Sequence, residues 1–510
     1  MSNHDHSQPL DKATAPSGPD RRATGAAEPK MRTTRRRLVW VLGLTVVLLP
    51  GQVRADLEAD VSTGKQLLAE GDALADKGDT TEAVVRYKRA FEQLLPGMRK
   101  LSFKHEVKRD VTKREEMSQM LIKEIDADMT PAEFRANELG MKALGLLPHD
   151  YNLKEAMVKV YSEEIAAFYD PKTKTMHLIK EPEAKQKKPP TFLERLLGKT
   201  GGFDKDENKT VIAHELTHAL ADQNFDLDVM QRAIKQDDDR DLALSALIEG
   251  EATLTMFGAQ MEDWSGAETK AMPAASLNRL FSFLMPFMPL AGGTSLREAP
   301  VILSESMIFP YLRGLVFCAH LTNAGGWSAL TEAYKRPPLS TEQILHPEKY
   351  RDQPDAPMAI DLGTLPPCDG WKELGRNVVG EMQLAILLRR HGGKNAAAGW
   401  DGDRFAVFEG PKDRVGLVWC STWDSEEDAR EFEQGYANFQ KTKRPSPPAG
   451  DAGPRGDGDL EASYVVQRRG TDVVVVEGFP ETLTHPLVEA AFQARKTEMT
   501  HENLPKPESK

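Results

Sequence analysis

The chain has 510 residues, of which 40% are hydrophobic and 28% charged, and its formal net charge is −12. This composition is that of a globular protein with enough apolar material for two to four packed units. The negative charge argues against a general affinity for nucleic acid, and the sequence has no glycine-rich phosphate-binding loop of the Walker or dinucleotide type. Three widely spaced cysteines allow at most one intrachain disulfide: Cys318, Cys368 and Cys420.

The N-terminal part of the sequence predicts export. Residues 1–30 are polar and rich in charge, which predicts a disordered extension. Residues 31–55 predict a signal peptide, with a basic stretch at Arg35–Arg37, an apolar stretch at Leu38–Leu49 and a small-residue cleavage site after Ala55. The apolar stretch is shorter than the roughly 20 residues that a bilayer span needs. We therefore expect no stable membrane anchor once the signal is cleaved.

Alternatives remain open for this segment. It is either cleaved or retained as a signal anchor, and Arg35 and Arg36 also fit a twin-arginine export signal. Translation starts at Met1 or at Met31, and the second start would leave residues 1–30 out of the protein. Each of these interpretations predicts a periplasmic or extracellular location.

Helical patterns dominate the next part of the chain. Residues 57–100, with a Gly-Asp turn at Lys77–Asp79, predict a helical hairpin that resembles a single tetratricopeptide-type unit. Residues 110–165 carry apolar residues at three- and four-residue spacings, which predicts further helices. The turn Asp170–Thr173 and the run Thr175–Ile179 then predict a β-hairpin.

The last third of the chain changes character. Residues 275–390 predict more helices, whereas residues 391–495 alternate strand and helix patterns and predict a small α+β unit. A Pro- and Gly-rich stretch predicts a disordered linker at 441–460, and residues 496–510 predict a disordered tail. The sequence as a whole predicts an α+β protein that is predominantly helical.

The stretch HELTH at residues 214–218 carries a metal-binding pattern. His214 and His218 are four residues apart, so a helix presents both imidazoles on one face, and zinc prefers neutral imidazole nitrogens. Glu215 lies about 100° around the helix from His214, where it can reach a water without binding the metal. The pattern predicts one Zn²⁺ ion held by the two histidines, with Glu215 as the general base.

A catalytic zinc ion of this type needs a third protein ligand. Asn224 occupies the position six residues after His218 where a third histidine would lie, so the three-histidine pattern is absent. The nearly all-apolar stretch ALIEGEAT offers Glu249 and Glu251, which point about 200° apart on a helix, so only one of them can bind the ion. We take Glu249 as the predicted ligand and Glu251 as the alternative. The acidic run Asp237–Arg240 is interpreted as a solvated helix start.

The two motifs, His214-Glu215-x-x-His218 and Glu249-Gly250, together resemble those of the gluzincin metallopeptidases. Most of residues 100–440 also resembles a group of uncharacterised bacterial secreted proteins. The resemblance implies a zincin-like metallopeptidase domain over residues 101–390, with the two histidines and Glu249 as the zinc ligands and Glu215 as the base.

The sequence departs from the gluzincin pattern after the third ligand. Thr253 stands four residues after Glu249, where the superfamily has an aspartate, so the residue that orients the metal-binding histidines is left open. Asp222, one turn after His218, is the candidate for that role.

The resemblance also implies how a substrate would be held. The strand Thr175–Ile179 would be the edge strand along which an extended peptide pairs, and an ordinary structural hairpin is the alternative. Enzymes of this kind need a hydrogen-bond donor for the oxyanion of the tetrahedral intermediate. The sequence offers four candidates for this donor: His346, Tyr350, Tyr311 and Tyr169.

The predicted function is that of a secreted zinc metallopeptidase that hydrolyses peptide bonds in a peptide or protein substrate. Two alternatives are a non-catalytic cell-envelope scaffold with a structural zinc site, and a zinc amidase that acts on cell-wall material. The sequence does not indicate an oligomeric state.

Overall fold

The structure is a computed structural model, and it describes residues 50–165, 167–180, 205–234, 236–285, 287, 294–389, 391, 396–443 and 464–502. The predicted N-terminal extension and the apolar part of the predicted signal peptide lie outside these residues. Most of the predicted linker and of the predicted tail also lies outside them.

The described residues begin with a helical hairpin made of α1 (Pro50–Asp76) and α2 (Thr80–Arg99). Asp79 begins α2 by accepting a hydrogen bond from the backbone N–H of Glu82, because a side-chain oxygen at this position satisfies a free N–H of the first turn. One face of α2 is fully buried and joins the main hydrophobic core through Tyr87, Phe91, Leu94 and Met98.

A small three-stranded sheet follows, with strand order β1-β3-β2. Its strands are β1 (Lys108–Lys113), β2 (Ala167–Asp170) and β3 (Thr175–Lys180). β3 pairs antiparallel with β2 and parallel with β1. The prediction that Thr175–Ile179 forms an edge strand is therefore wrong, because β1 covers the side of β3 that β2 leaves open.

The connection from β1 to β2 is helical, as predicted, although the strand β1 takes the first residues of the stretch predicted as helix. Three helices make up this connection: α3 (Arg114–Asp128), α4 (Pro131–Leu144) and α5 (Leu153–Glu164). Pro131 at the first turn and the Thr130 side chain, which accepts from the backbone N–H of Glu133, fix where α4 begins.

A helical body forms the centre of the molecule. Its ten helices, within the described ranges, are α6 (Lys205–Phe225), α7 (Leu227–Arg232), α8 (Asp238–Gln260), α9 (Ala267–Lys270), α10 (Ala274–Leu284), α11 (Thr294–Glu298), α12 (Val301–Gly325), α13 (Trp327–Lys335), α14 (Thr341–Leu345) and α15 (Pro347–Arg351). The helix α8 packs between α6 and α12.

Two helices of this body, α8 and α12, are long and apolar enough to cross a membrane by length and composition alone. However, 72% and 67% of their most apolar windows are buried inside the protein. This burial is what a helix that is apolar on all sides requires when it forms the centre of a folded core.

A second sheet of five strands, in the order β5-β6-β7-β9-β8, forms the C-terminal part. Its strands are β5 (Lys372–Asn377), β6 (Trp400–Glu409), β7 (Val415–Trp423), β8 (Tyr464–Arg469) and β9 (Asp472–Glu477). Three helices accompany it: α16 (Gly380–Leu388), α17 (Glu426–Lys443) and α18 (Glu481–Phe492). A separate two-stranded sheet pairs β4 (Met358–Asp361) with β10 (Arg495–Glu498).

These pairings correct three predicted boundaries. The α+β unit does not begin at residue 391, because β5 already belongs to its sheet. The predicted tail does not begin at residue 496, because Lys496 to Glu498 pair with β4. The predicted linker does not begin at residue 441, because α17 continues to Lys443. The prediction of a mixed α+β fold with mainly helical content is confirmed.

The acidic run Asp237–Arg240 is only partly a helix start of the predicted kind. Asp237 caps α8 by accepting from the backbone N–H of Arg240, but Asp239 and Arg240 are buried instead of solvated. The Asp239 carboxylate accepts hydrogen bonds from the backbone N–H, at 3.0 Å, and from the hydroxyl of Thr341 at the start of α14. This run therefore attaches α8 to α14.

All three cysteines are free thiols.

Candidate metal centre

The helix α6 presents both histidines of the HELTH stretch on one face. The other faces of α6 are buried in the core, where Ala213, Leu216 and Leu220 are at most 1% exposed. The imidazoles of His214 and His218 lie on the remaining face of α6, which is not fully buried. Their side chains are 13% and 12% exposed, respectively. Their Nε2 atoms lie 3.0 Å apart, as the four-residue spacing requires for a shared ligand.

Glu249 of α8 completes a triangle of ligand atoms. Its Oε2 atom lies 3.1 Å from Nε2 of His214 and 3.5 Å from Nε2 of His218. A tetrahedral ion with bonds of about 2.0–2.1 Å has ligand atoms about 3.3 Å apart, so the three atoms are spaced as such an ion would hold them. Among the described residues, no fourth His, Cys, Asp or Glu side chain joins this cluster. The arrangement fits an ion with three protein ligands and one position left for exchange.

A second group of converging carboxylates does not have the character of a metal site. Glu342, Asp355 and Asp424 also converge, but the Nζ atom of Lys349 lies 2.6, 2.9 and 2.8 Å from their respective oxygens. The lysine ammonium lies within ion-pair distance of all three carboxylates, and burial raises the pKa of Glu342 to about 8. They are therefore an ion-pair cluster that joins α15 to the C-terminal part.

Glu251, the alternative ligand, lies outside the metal centre. It points to the opposite side of α8 and forms an ion pair with Arg99 of α2. Both side chains are buried, with 0% and 1% exposed. The prediction that one helix cannot offer both glutamates to one ion is consistent with this arrangement, and the alternative assignment of Glu251 as a ligand is wrong.

The glycine after Glu249 has a structural reason. A Cβ atom at Gly250 would lie 2.1 Å from the carbonyl carbon of Gly314 in α12, and a Cβ atom at Gly314 would lie 2.0 Å from the carbonyl oxygen of Ala246. The backbones of α8 and α12 are therefore in direct contact at this crossing. The contact brings Tyr311, one turn before Gly314, next to the ligand Glu249.

Tyr311 is the one predicted oxyanion donor that the fold places beside the metal ligands. Its ring stacks on that of His214, with the centroids 6.1 Å apart and the planes at 19°. Its hydroxyl lies close to Glu249, and burial together with the nearby carboxylates of Glu249 and Glu215 raises the pKa of Tyr311 well above its usual value. The hydroxyl therefore stays protonated and remains a donor at any physiological pH.

The other three predicted donors are engaged away from the three ligands. The hydroxyl of Tyr169 donates to Asp222 at 2.7 Å, and that of Tyr350 donates to the carbonyl oxygen of Arg336 at 2.7 Å. His346 Nε2 lies 3.0 Å from a carboxylate oxygen of Glu381. A tyrosine that the sequence analysis missed, Tyr161 of α5, lies close enough to Glu249 for the carboxylate to contribute to its raised pKa, of which burial is the main cause.

Glu215 has the environment that a general base requires. The residue is 6% exposed, and its Oε2 atom is buried without a hydrogen-bond partner among the described residues. The backbone of Tyr169 in β2 lies close enough to this carboxylate to lower its pKa slightly. Burial raises the pKa of Glu215 above its ordinary value, and the two neighbouring imidazoles reduce that rise.

Asp222 does not orient the histidines, so that prediction is wrong. Its carboxylate accepts from the Tyr169 hydroxyl at 2.7 Å, from Nζ of Lys174 at 2.8 Å and from the backbone N–H of Leu227 at 3.2 Å. Asp222 therefore fastens the β2–β3 hairpin to α6. Its effect on the metal centre is to hold β2 beside Glu215.

The charges of the centre are coupled. Burial lowers the pKa of the His218 imidazole, but the facing Glu249 carboxylate more than offsets this and raises the pKa to about 9. Burial alone would raise the pKa of Glu249, but the two histidines hold it well below its usual value. Without a cation, a proton on His218 therefore balances the Glu249 carboxylate, and a metal ion would take the place of that proton.

The match to a known protein family covers a part of the chain that does not include the metal centre. A family described as a domain of unknown function, DUF8575, matches residues 368–488, which hold the five-stranded sheet and most of α18. The metal centre lies outside this match. No curated protein and no solved structure matches the chain.

Proposed function

We propose that this protein is a zinc-dependent metallopeptidase that is exported from the cell. The observation that carries the proposal is the triangle formed by His214, His218 and Glu249, whose ligand atoms lie 3.0 to 3.5 Å apart. Two imidazoles and one carboxylate, with a buried glutamate directly after the first histidine, form the donor set of zinc hydrolases that cleave amide bonds.

Each residue near the triangle then has a chemical role. Zn²⁺ bound by the three side chains would supply Lewis acidity, which polarises the substrate carbonyl and makes a water more acidic. Glu215 takes the proton of the attacking water on its unpartnered oxygen and passes it to the leaving amine. The hydroxyl of Tyr311 turns from Glu249 to the developing oxyanion and donates a hydrogen bond to it.

The substrate would lie along β2 instead of β3. Within the described residues β2 pairs only with β3, so its other edge is open, and the backbone of Tyr169 in β2 lies close to the Glu215 carboxylate. We therefore place the substrate at this open edge. A peptide added as a strand at this edge would bring one of its carbonyl groups to the general base, with backbone hydrogen bonds that depend little on sequence.

The test is the variant Glu215→Gln in the purified protein. Glu215 does not belong to the ligand triangle, so we expect the variant to bind zinc like the wild type and to lose at least about 10²-fold in the rate at which it hydrolyses an unfolded protein. Tyr436→Phe, which removes a buried hydroxyl that donates to Glu477 in the C-terminal part, is the control. Wild-type protein that binds zinc but cleaves neither unfolded protein nor cell-wall amides would contradict the proposal and favour the structural-zinc alternative.

A further inference from the structure

One buried ion pair connects the N-terminal hairpin to the helix that carries Glu249. The Nε atom of Arg99, the last residue of α2, donates to a carboxylate oxygen of Glu251 in α8, and 0% and 1% of the two side chains are exposed. The pair spans 152 residues of sequence. Nη2 of Arg99 and Oε2 of Glu251 are buried without a hydrogen-bond partner among the described residues. Removing either charge alone would therefore leave the other buried with even fewer partners.

Arg99 is itself held in place by a third element. Its Nη1 atom donates to the carbonyl oxygen of Trp327 at 3.2 Å, and its guanidinium carbon lies 5.2 Å from the centre of the Trp327 ring. The indole Nε1 of Trp327 in turn donates to the carbonyl oxygen of Gly266 at 3.1 Å. The guanidinium is therefore fixed by planar contacts on two sides, which a lysine could not reproduce.

The same hairpin also contacts the other helix of the metal centre. α2 packs along α6, and its buried side chains belong to the same core as those of α6. The hairpin thus touches both helices that contribute metal ligands, at α6 by apolar packing and at α8 by the ion pair. α8 is also held at its start by the hydrogen bonds of Asp239 with Thr341, and at Gly250 by the backbone of α12. The Arg99–Glu251 pair adds a directed, charged contact only two residues from Glu249.

We infer that Arg99 is a positioning residue for the metal centre, which acts by fixing the rotation of α8 through Glu251 so that Glu249 points at the two histidines. The inference rests on the proposed zinc site. A carboxylate on a helix lies roughly 6 Å from the helix axis, so a rotation of about 10° moves it by about 1 Å. Ligand distances in a metal site tolerate only about 0.2 Å, so a small loss of rotational order at α8 is enough to weaken binding.

The experiment replaces both charges at once, with the double variant Arg99→Met/Glu251→Met of the full chain. Removing one charge alone would leave the other buried and unpaired and could prevent folding, whereas two methionines of similar length keep the core apolar and filled. Thermal unfolding in EDTA reports on the metal-free fold. Competition with a chromophoric chelator gives the zinc affinity, and the visible absorption of the Co²⁺-loaded protein reports on the ligand geometry.

We expect the double variant to keep its metal-free melting temperature, to lose about 10- to 100-fold in zinc affinity and to change its Co²⁺ spectrum. The conservative variant Arg99→Lys, which keeps a charge for Glu251, should recover part of the affinity. A matched control is Lys443→Met/Glu477→Met, which removes a mostly buried pair in the C-terminal part and should leave both metal readouts unchanged.

Two outcomes of this experiment are distinct. A double variant that folds and binds zinc and Co²⁺ like the wild type would overturn the positioning role and leave the metal centre intact. Wild-type protein that binds neither ion would instead overturn the metal centre itself, before the variants are compared.

Discussion

The crossing of α8 and α12 gives the sharpest prediction, because it leaves no room for a methyl group. In the variant Gly250→Ala, the new Cβ would lie 2.1 Å from the carbonyl carbon and 2.3 Å from the carbonyl oxygen of Gly314, where ordinary contact begins at 3.4 Å. Both neighbours are backbone atoms, so no side chain can turn aside. The two helices would have to separate by about 1.3 Å, the difference between 3.4 and 2.1 Å.

This separation has a cost in stability and a second cost at the metal centre. Overpacking of this kind costs up to about 3 kcal/mol, and alanine in a helix regains about 1 kcal/mol over glycine, so we expect a net loss of about 2 kcal/mol. Because Tyr311 lies one turn before Gly314, the same shift moves its hydroxyl away from Glu249. A displacement of about 1 Å in a reacting group lowers turnover by about 10²-fold.

Urea unfolding in EDTA measures the first effect, and cleavage of an unfolded protein at saturating zinc measures the second. The control is Gly258→Ala in the same helix, where the new Cβ would meet side-chain atoms, Thr269 Oγ1 at 2.6 Å and Met98 Sδ at 3.1 Å, which can shift. We expect a smaller loss of stability there and unchanged turnover. A Gly250→Ala variant that is as stable as the wild type would show that the two helix backbones are not in contact, and the placement of Tyr311 would fall with it.

Three further predictions concern the centre and its support. Because the pKa of His218 is raised to about 9, zinc affinity should rise as the pH increases from 6.5 to 9. The stability of the metal-free protein should fall over the same pH range. Calorimetry in buffers of different ionisation enthalpy should detect about one proton released per zinc ion bound at pH 7. Tyr311→Phe should lower turnover about 10²- to 10³-fold with zinc affinity within a few-fold of wild type. Asp222→Asn should cost about 1–3 kcal/mol in urea unfolding, because Lys174 loses its charged partner, with little change in zinc affinity.

Each of these has an outcome that would contradict it. Zinc affinity that is flat between pH 6.5 and 9 would mean that no proton is displaced from His218. Full turnover in Tyr311→Phe would remove the hydroxyl from the mechanism. A large loss of zinc affinity in Asp222→Asn would restore Asp222 as a residue that orients the histidines.

The three residues of the proposed metal site could be predicted from the sequence because their geometry is local. Two histidines four residues apart define one face of a helix whatever surrounds it, and Glu249 is one of two carboxylates in the apolar part of its helix. The Asn224 position excluded a third histidine by the same local reasoning. Helix geometry showed that only one of Glu249 and Glu251 can bind the ion, since the two point in opposite directions. The structure then distinguishes them, because Glu251 pairs with Arg99.

What the sequence could not predict depends on partners far along the chain. The pairing of Arg99 with Glu251 and the crossing of Gly250 with Gly314 join residues with no periodic relation. The resemblance implied an edge strand at Thr175–Ile179, whereas β1, which is separated from β3 by three helices and lies partly in a stretch predicted to be helical, pairs with it. Parallel pairing of two strands across such a long connection cannot be recognised from the local sequence pattern of either strand.

The way in which α2 enters the core limits how this protein could be kept latent. Many secreted peptidases are made with an N-terminal segment that blocks the active site and is cut off on activation. Here the segment up to Arg99 supplies buried aromatic and aliphatic side chains to the main core. Its last residue, Arg99, is the cation that pairs with the buried Glu251 carboxylate. Proteolytic removal of the hairpin would expose apolar surface of α6 to water and leave the buried charge of Glu251 unpaired. Any cleavage that activates the proposed peptidase must therefore fall before α2 or in another part of the chain.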